Sequence, residues 1–197
     1  LMFSPKKYAS LFKTIQYAAL FHDLGKLDPE IQRVLHRSGR GKLKWDHIDA
    51  GVAHVSKTNK MAAWLIRGHH PPGLPEKANH FPGRELRGRR HDDIDLQEHK
   101  AQIYRTNTFI SEYLKIHNDC FKSYENSNDG FKAHGITMRL ALSCLVDADH
   151  SDSAFADTGW VPPEPVEPNW DKRLNALCRY VENLQTGKTE SEIARNR

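Results

Sequence analysis

The sequence is poor in cysteine, and the three it has are far apart. Cys120, Cys144 and Cys178 make no CxxC pair, which excludes a zinc knuckle and a disulfide framework and predicts buried thiols in a reducing cytoplasm. No apolar run approaches the roughly 20 residues needed to cross a bilayer, the longest being Met61 to Ile66, so no membrane partner is expected. An apolar leader with a small-residue cleavage site is missing from the first residues, and Leu1 suggests that the sequence starts inside a longer protein. Alternating strand patterns, internal repeats and a glycine-rich phosphate loop are also missing; without a GK[ST] loop the chain is not expected to hydrolyse ATP. The net charge of +4 permits a polyanionic partner without requiring one. At 197 residues the length suits one domain with a real core.

What is present is helical periodicity. Tyr8, Leu11, Phe12, Ile15, Ala18, Ala19 and Phe21 recur at 3.6-residue spacing, and Gly25 can end that helix. Asp28-Pro29-Glu30 is a helix start, with an N-cap followed by proline at the first helical position. Asp46 can cap a helix through His47, Ala50 and His54, and Asn59 one through Ala62 and Ile66 that stops at Pro71-Pro72-Gly73. Residues 71–91, with four prolines, three glycines and four arginines, read as loop. Leu96, Ile103, Phe109, Ile110 and Leu114 predict a helix over Asp95–His117, and further helices are expected over Ile136–Asp149 and Asp171–Leu184. The expected organisation is an all-α bundle over 1–155, with 156–197 as a proline-rich connector and a C-terminal helix packing on the same domain.

Histidine is abundant, 12 in all, and its placement is ordered: His22-Asp23, His47, His69-His70 and the acids Asp147 and Asp149 each fall near a helix end. Their neighbours are apolar, and a buried carboxylate such as Asp23 needs a partner, which a metal ion supplies. Imidazole with carboxylate suits Mn, Ni, Co, Fe or Zn, whereas Mg prefers oxygen ligands. Two ions would account for the number of ligands and would clamp the attacking and leaving oxygens of a phosphoester. Asp23 can bridge such a pair, and Lys26 is placed to neutralise a phosphate oxygen.

Four blocks then resemble the HD nuclease domain of the CRISPR type I nuclease-helicase family, within the HD superfamily of phosphohydrolases. These are Phe21-His22-Asp23-Leu24-Gly25-Lys26, Asp46-His47-Ile48-Asp49-Ala50-Gly51, His69-His70-Pro71-Pro72-Gly73-Leu74-Pro75 and Leu145-Val146-Asp147-Ala148-Asp149. The resemblance spans about residues 15–155 and implies an HD-domain helical bundle with its metal site at helix ends. It implies that His22 and Asp23 hold a first ion, that Asp23 bridges to a second completed by His47, His69 and His70, and that one aspartate of the last block closes the first. Asp147 and Asp149 lie about 200° apart on a helix, so both cannot point inward equally; in related HD enzymes the ligand is the aspartate preceded by alanine with a polar residue three or four positions on, so the resemblance implies Asp149, with Asp152 and Ser153 at that spacing, and leaves Asp147 as the alternative. The family places a further histidine upstream, and residues 1–21 hold none: either that stretch lies before residue 1 or the first ion has fewer ligands.

The implied activity is cleavage of single-stranded DNA in the cytoplasm. The implied partners are a helicase, fused or separate, and a crRNA-guided surveillance complex in antiviral defence. Arg84, Arg87, Arg89 and Arg90, with Ser153, are the expected contacts to the strand, against a solvated loop as the alternative. Trp45 can stack on a base but is expected in the core, as is Trp64. Two rival readings remain: a phosphohydrolase of nucleotides or cyclic nucleotides, and a degenerate HD module that binds without cleaving.

Overall fold

The protein, as a computed structural model, is described over residues 5–37, 43–70, 73–74, 86–88, 96–121, 135–161 and 169–184. It is an all-α bundle, with no strand among the described residues. The helices are α1 (Pro5–Phe21), α2 (Pro29–His36), α3 (Ile48–Val55), α4 (Lys60–Gly68), α5 (Leu96–Cys120), α6 (Ile136–Thr158) and α7 (Trp170–Leu184), with a 3-10 turn at Leu24–Leu27. The chain divides into two compact units, 1–160 and 161–197. The first holds α1 to α6; α7 belongs to the second and is capped by Asn169, whose side chain accepts from the Lys172 amide.

Local chemistry explains most boundaries. Asp28 caps α2 by accepting from the Glu30 amide, with Pro29 at the first position. Asn59 caps α4 by accepting from the Ala62 amide, and its own amide donates to the buried Thr14 hydroxyl of α1, so one side chain starts a helix and ties it to another. Asp46 accepts from the Ile48 amide at the start of α3. Gly159, at φ +69°, closes α6 with its amide on the Phe155 carbonyl.

The core forms where α1, α3, α4, α5 and α6 meet. Tyr17, Ala18 and Phe21 of α1 pack with Val52 and Val55 of α3, Ala62, Leu65 and Ile66 of α4, Tyr113 of α5 and Met138, Ala141 and Leu145 of α6. Leu65 and Ile66 are wholly enclosed, and truncating either to alanine costs about 2–5 kcal/mol. Two glycines let backbones approach closely. A Cβ on Gly25 would overlap the His47 carbonyl, and one on Gly51 would overlap the Phe21 carbonyl. The first contact presses the turn after Asp23 onto the residue before α3; the second presses the end of α1 onto α3.

Three expectations are corrected. The cysteines are exposed, not buried: Cys144 flanks the inward stripe of α6 instead of sharing it, and Cys120 is the last residue of α5. The inward face of α5 is mixed: Phe109 and Leu114 pack against the core, but the most deeply buried positions include polar groups. Leu96 is exposed, while Gln102, Thr106, Tyr113 and His117 are buried. Each is held by a hydrogen bond across or along the bundle, so burial there follows partners rather than hydropathy. Finally, α6 runs on to Thr158, past both Asp149 and residue 155.

Candidate metal centre

Two of the site histidines are aimed by the helices that carry them. A helix leaves its last carbonyls without amide partners. At the end of α1, His22 Nδ1 lies 2.7 Å from the Ala19 carbonyl, and at the end of α4, His69 Nδ1 lies 2.7 Å from the Ile66 carbonyl. In each case the Nδ1–H donates to the carbonyl three residues back and turns Nε2 toward the site; in the neutral His69 ring this leaves Nε2 as a lone pair. His47 is held differently, through the backbone beside it: the Gln102 amide side chain accepts from the Asp46 N–H at 2.8 Å and donates to the Asp46 carbonyl at 3.0 Å.

These elements bring the four sequence blocks to one place. His22 Nε2 stands 3.3 Å from Asp23 Oδ2 and 3.3 Å from Asp149 Oδ1, and His47 Nε2 is 3.6 Å from Asp23 Oδ1. His47 Nε2 and His70 Nε2 are 3.1 Å apart. The ring centres of His22 and His69 are 5.1 Å apart, and those of His69 and His70 4.2 Å. Two sets have ligand atoms all within 4.8 Å of one another: His47, His69 and His70, and His22, His69 and Asp149. His69 belongs to both. Asp23 offers one oxygen toward each side.

Asp149, not Asp147, reaches this centre. The inward stripe of α6 runs Met138, Ala141 and Leu145, and a further helical step of four reaches Asp149. Asp147 is off that stripe and exposed, as is Ser153.

The electrostatics favour a cation. Burial lowers the pKa of His47 to about 4, Asp23 opposing it and the neighbouring His70 and Lys26 adding to it. Burial and the surrounding histidines bring His69 to about 4 as well. Both rings are therefore neutral at physiological pH, with lone pairs available. Burial also acts to lower His22, but the Asp23 and Asp149 carboxylates outweigh it and hold that ring up at about 9. Burial would raise Asp23, yet His22 and Lys26 together keep its carboxyl well below the usual range. Lys26 Nζ is 2.6 Å from Asp23 Oδ2 and partly exposed at the rim.

Three buried acceptors are left over among the described residues: His117 Nδ1 on α5, and two at this centre. His69 Nε2 and Asp23 Oδ1 are buried without a hydrogen-bond partner. Buried, unsatisfied acceptors are costly, and the donors nearby, His22 and Lys26, are spent on the other Asp23 oxygen. Imidazole nitrogens and carboxylate oxygens in this grouping fit one or two divalent transition-metal ions. His22, Asp23, His69 and Asp149 would hold one; His47, His70 and Asp23, with His69 within reach, would hold the other.

The strand contacts expected in the 84–90 loop are placed otherwise where they are described. Arg87 donates from Nε and one terminal nitrogen to both oxygens of Asp49, at 2.9 and 3.0 Å, and to Asn107 at 3.0 Å. The Asp49 side chain is fully enclosed and also accepts from the Gly88 amide, while Arg67 donates to the Gly88 carbonyl. A buried carboxylate on α3 needs this cation, so Arg87 is a structural clamp instead of an open phosphate contact. Arg84, Arg89 and Arg90, like Pro71 and Pro72, lie outside the described residues.

Sequence reasoning missed the support that α5 gives. Besides Gln102, His117 is buried, with Nε2 2.9 Å from the Leu20 carbonyl and its ring stacked on Phe21, so α5 braces the chain just before His22. Asp28, just past the turn that follows Asp23, is buried and gripped by Arg105 (2.9 and 3.1 Å) and Tyr113 (2.5 Å). The one signal in the sequence was polar residues at helical spacing on α5 where an apolar stripe was expected. His54 packs against Phe21 at 4.5 Å between ring centres, away from any ligand role, and Trp64 packs against the core half-buried. Trp45 is also half-buried, with its Nε1 donating to Glu30.

No family model matches this chain, and comparison with curated proteins and with solved structures finds no match.

Proposed function

We propose that the chain is a metal-dependent phosphohydrolase. The observation that carries this is the convergence of His22, Asp23, His47, His69, His70 and Asp149 on one centre with two buried, unsatisfied acceptors. More narrowly, we propose a nuclease of the HD type that cuts single-stranded DNA in CRISPR type I interference. In this reading it works in the cytoplasm with a helicase, fused or separate, and a crRNA-guided complex; those partners are inferred from the four sequence blocks.

The chain's own groups divide the work. His22 and His69, locked by carbonyls of their helices, present Nε2 without a search among rotamers. Asp23 places one oxygen toward His22 and the other toward His47, which suits a bridging carboxylate. Lys26, tied to Asp23 at the rim and 39% exposed, is positioned to meet a phosphate oxygen as charge builds on it. Bound divalent ions supply an acidified water and positive charge at the phosphoester oxygens.

The test is cleavage of circular single-stranded DNA with Mn²⁺, Ni²⁺ or Co²⁺, alongside bound-metal analysis, for the parent, Asp23→Ala, Asp149→Asn and Asp147→Asn. Cutting is expected for the parent and Asp147→Asn, with loss of both metal and cutting in the other two. Hydrolysis of nucleotides with the circle left intact would move the reading to a small-molecule phosphohydrolase. A parent that binds no metal would leave a binding module.

A further inference from the structure

A second feature lies two residues before His47. Trp45, with Glu30, Ile31, Arg33, Arg37 and Lys44 among its neighbours, lines a pocket of about 210 Å³ between α2 and the segment leading to α3. Its floor is apolar: Ile31 is buried. Its rim is cationic. Arg33 and Arg37 are exposed, and the Lys44 ammonium lies 4.9 Å from the centre of the Trp45 ring. The one carboxylate there, Glu30, accepts from Trp45 Nε1 at 2.8 Å and pairs with Arg105 at 3.3 Å, so its charge is already answered.

The sequence around this pocket points the same way. Its cationic lining residues are Arg33, Arg37 and Lys44, and no acid occurs in the sequence between Arg33 and Lys44. A pocket of this size is smaller than the roughly 300 Å³ at which sites for whole small-molecule ligands begin. It suits one flat base whose chain continues along the outside. Aromatic ring, apolar floor and a line of cations are the elements that bind a single strand without reading its sequence.

We propose that this pocket is a subsite for single-stranded nucleic acid, in which one base stacks against Trp45 while the flanking phosphates meet Arg33, Arg37 and Lys44. It rests on the nuclease reading for its substrate class, and it takes the place of the strand contact that Arg87, engaged with Asp49, does not supply. Trp45 is two residues from His47, so their Cα atoms are within about 7 Å of each other. Lys44 leaves the ring for a phosphate when a base takes its place.

The experiment uses the whole chain, metal-free, with a fluorescein-labelled 15-mer of thymidine followed by anisotropy over a range of salt. In Arg33→Gln/Arg37→Gln the slope of log affinity against log salt is expected to fall by about 1.4, at roughly 0.7 per phosphate contact of a single strand. Trp45→Leu is expected to lose about 5- to 150-fold in affinity with the slope unchanged. Trp45→Phe keeps the stacking face and loses only the bond to Glu30, so it should bind nearly as the parent; a loss equal to that of Trp45→Leu would mean that the ring acts by holding Glu30, and would overturn the subsite. Parental affinity and slope in the arginine pair, or no binding of the 15-mer by the parent, would overturn it too. Metal analysis and cleavage by the parent separate the two ideas. Cutting with unchanged strand binding in the variants sinks the subsite alone, whereas binding through Trp45 with no cutting sinks the nuclease and leaves the subsite standing.

Discussion

Replacing Arg87 by methionine separates a structural clamp from a nucleic-acid contact. Asp49 has no exposed side-chain surface, and Arg87, 16% exposed, supplies two of its hydrogen bonds and a direct cation partner. Removing one partner of a buried ion pair costs about 3–5 kcal/mol, because the remaining charge is stranded. The Gly88 amide still donates to Asp49, so the lower end, about 3 kcal/mol, is expected. In urea that moves the unfolding midpoint down by about 1.5 M for a slope near 2 kcal/mol/M. Asp49→Asn keeps an acceptor for Gly88 and should cost less, and the double variant should be less damaged than the sum, with a coupling of about 2 kcal/mol. The reasoning is refuted if Arg87→Met unfolds within about 0.5 kcal/mol of the parent while its salt slope for oligonucleotide binding drops by about 0.7, the signature of a lost phosphate contact.

Further outcomes follow from the centre and its supports. Because His22 is protonated below about pH 9 in the metal-free protein whereas His47 and His69 are already neutral, loading the His22 side at pH 7.5 should release about one proton. Calorimetry in buffers of different ionisation enthalpy measures that release; a value near zero would show His22 is not a ligand. The same raised pKa stabilises the metal-free fold fully below the unfolded value of about 6.5, and that contribution is lost as pH rises through about 9. In Asp28, burial acts upward but Arg105, Tyr113 and the Glu30 amide hold the carboxyl below its usual range, so its contribution is present above about pH 3.9 and disappears as pH falls below that. Asp28→Asn should therefore be less stable at neutral pH and show a flatter loss on acidification, which denaturation at stepped pH reads directly. Gly25→Ala places a methyl on the His47 carbonyl; a stability loss of about 1–3 kcal/mol with weaker metal binding is expected, and unchanged metal affinity would detach that contact from the site.

Features encoded over a few residues were legible in the sequence. Asp28-Pro29 and Asn59 start helices by bonds to amides two or three positions on, and the structure has them so. Helical geometry said that only one of Asp147 and Asp149 could face inward, and the family resemblance favoured Asp149, which is the one that continues the inward stripe of α6. Features joined across the chain were not legible. Gln102 holds the backbone of Asp46 and His117 that of Leu20, and a backbone carbonyl far away leaves no mark in a hydropathy pattern. The role of Arg87 was not legible for a related reason: it is indistinguishable in sequence from a solvated arginine until Asp49 is known to be buried beneath it. The exposed cysteines show the limit of residue-type averages, since helical phase, not thiol chemistry, decides which way Cys144 faces.

The bonds from His22 to Ala19 and from His69 to Ile66 span three residues each, at the ends of helices packed through an apolar core. Such a site is preorganised: a cation that arrives spends little of its binding free energy on freezing side chains, and one that departs leaves the receptor shape behind. Stripping by a chelator and reloading should then be a fast, reversible exchange at a standing framework, with far-ultraviolet circular dichroism unchanged throughout, in contrast to small metal-folded domains that must rebuild themselves at every cycle.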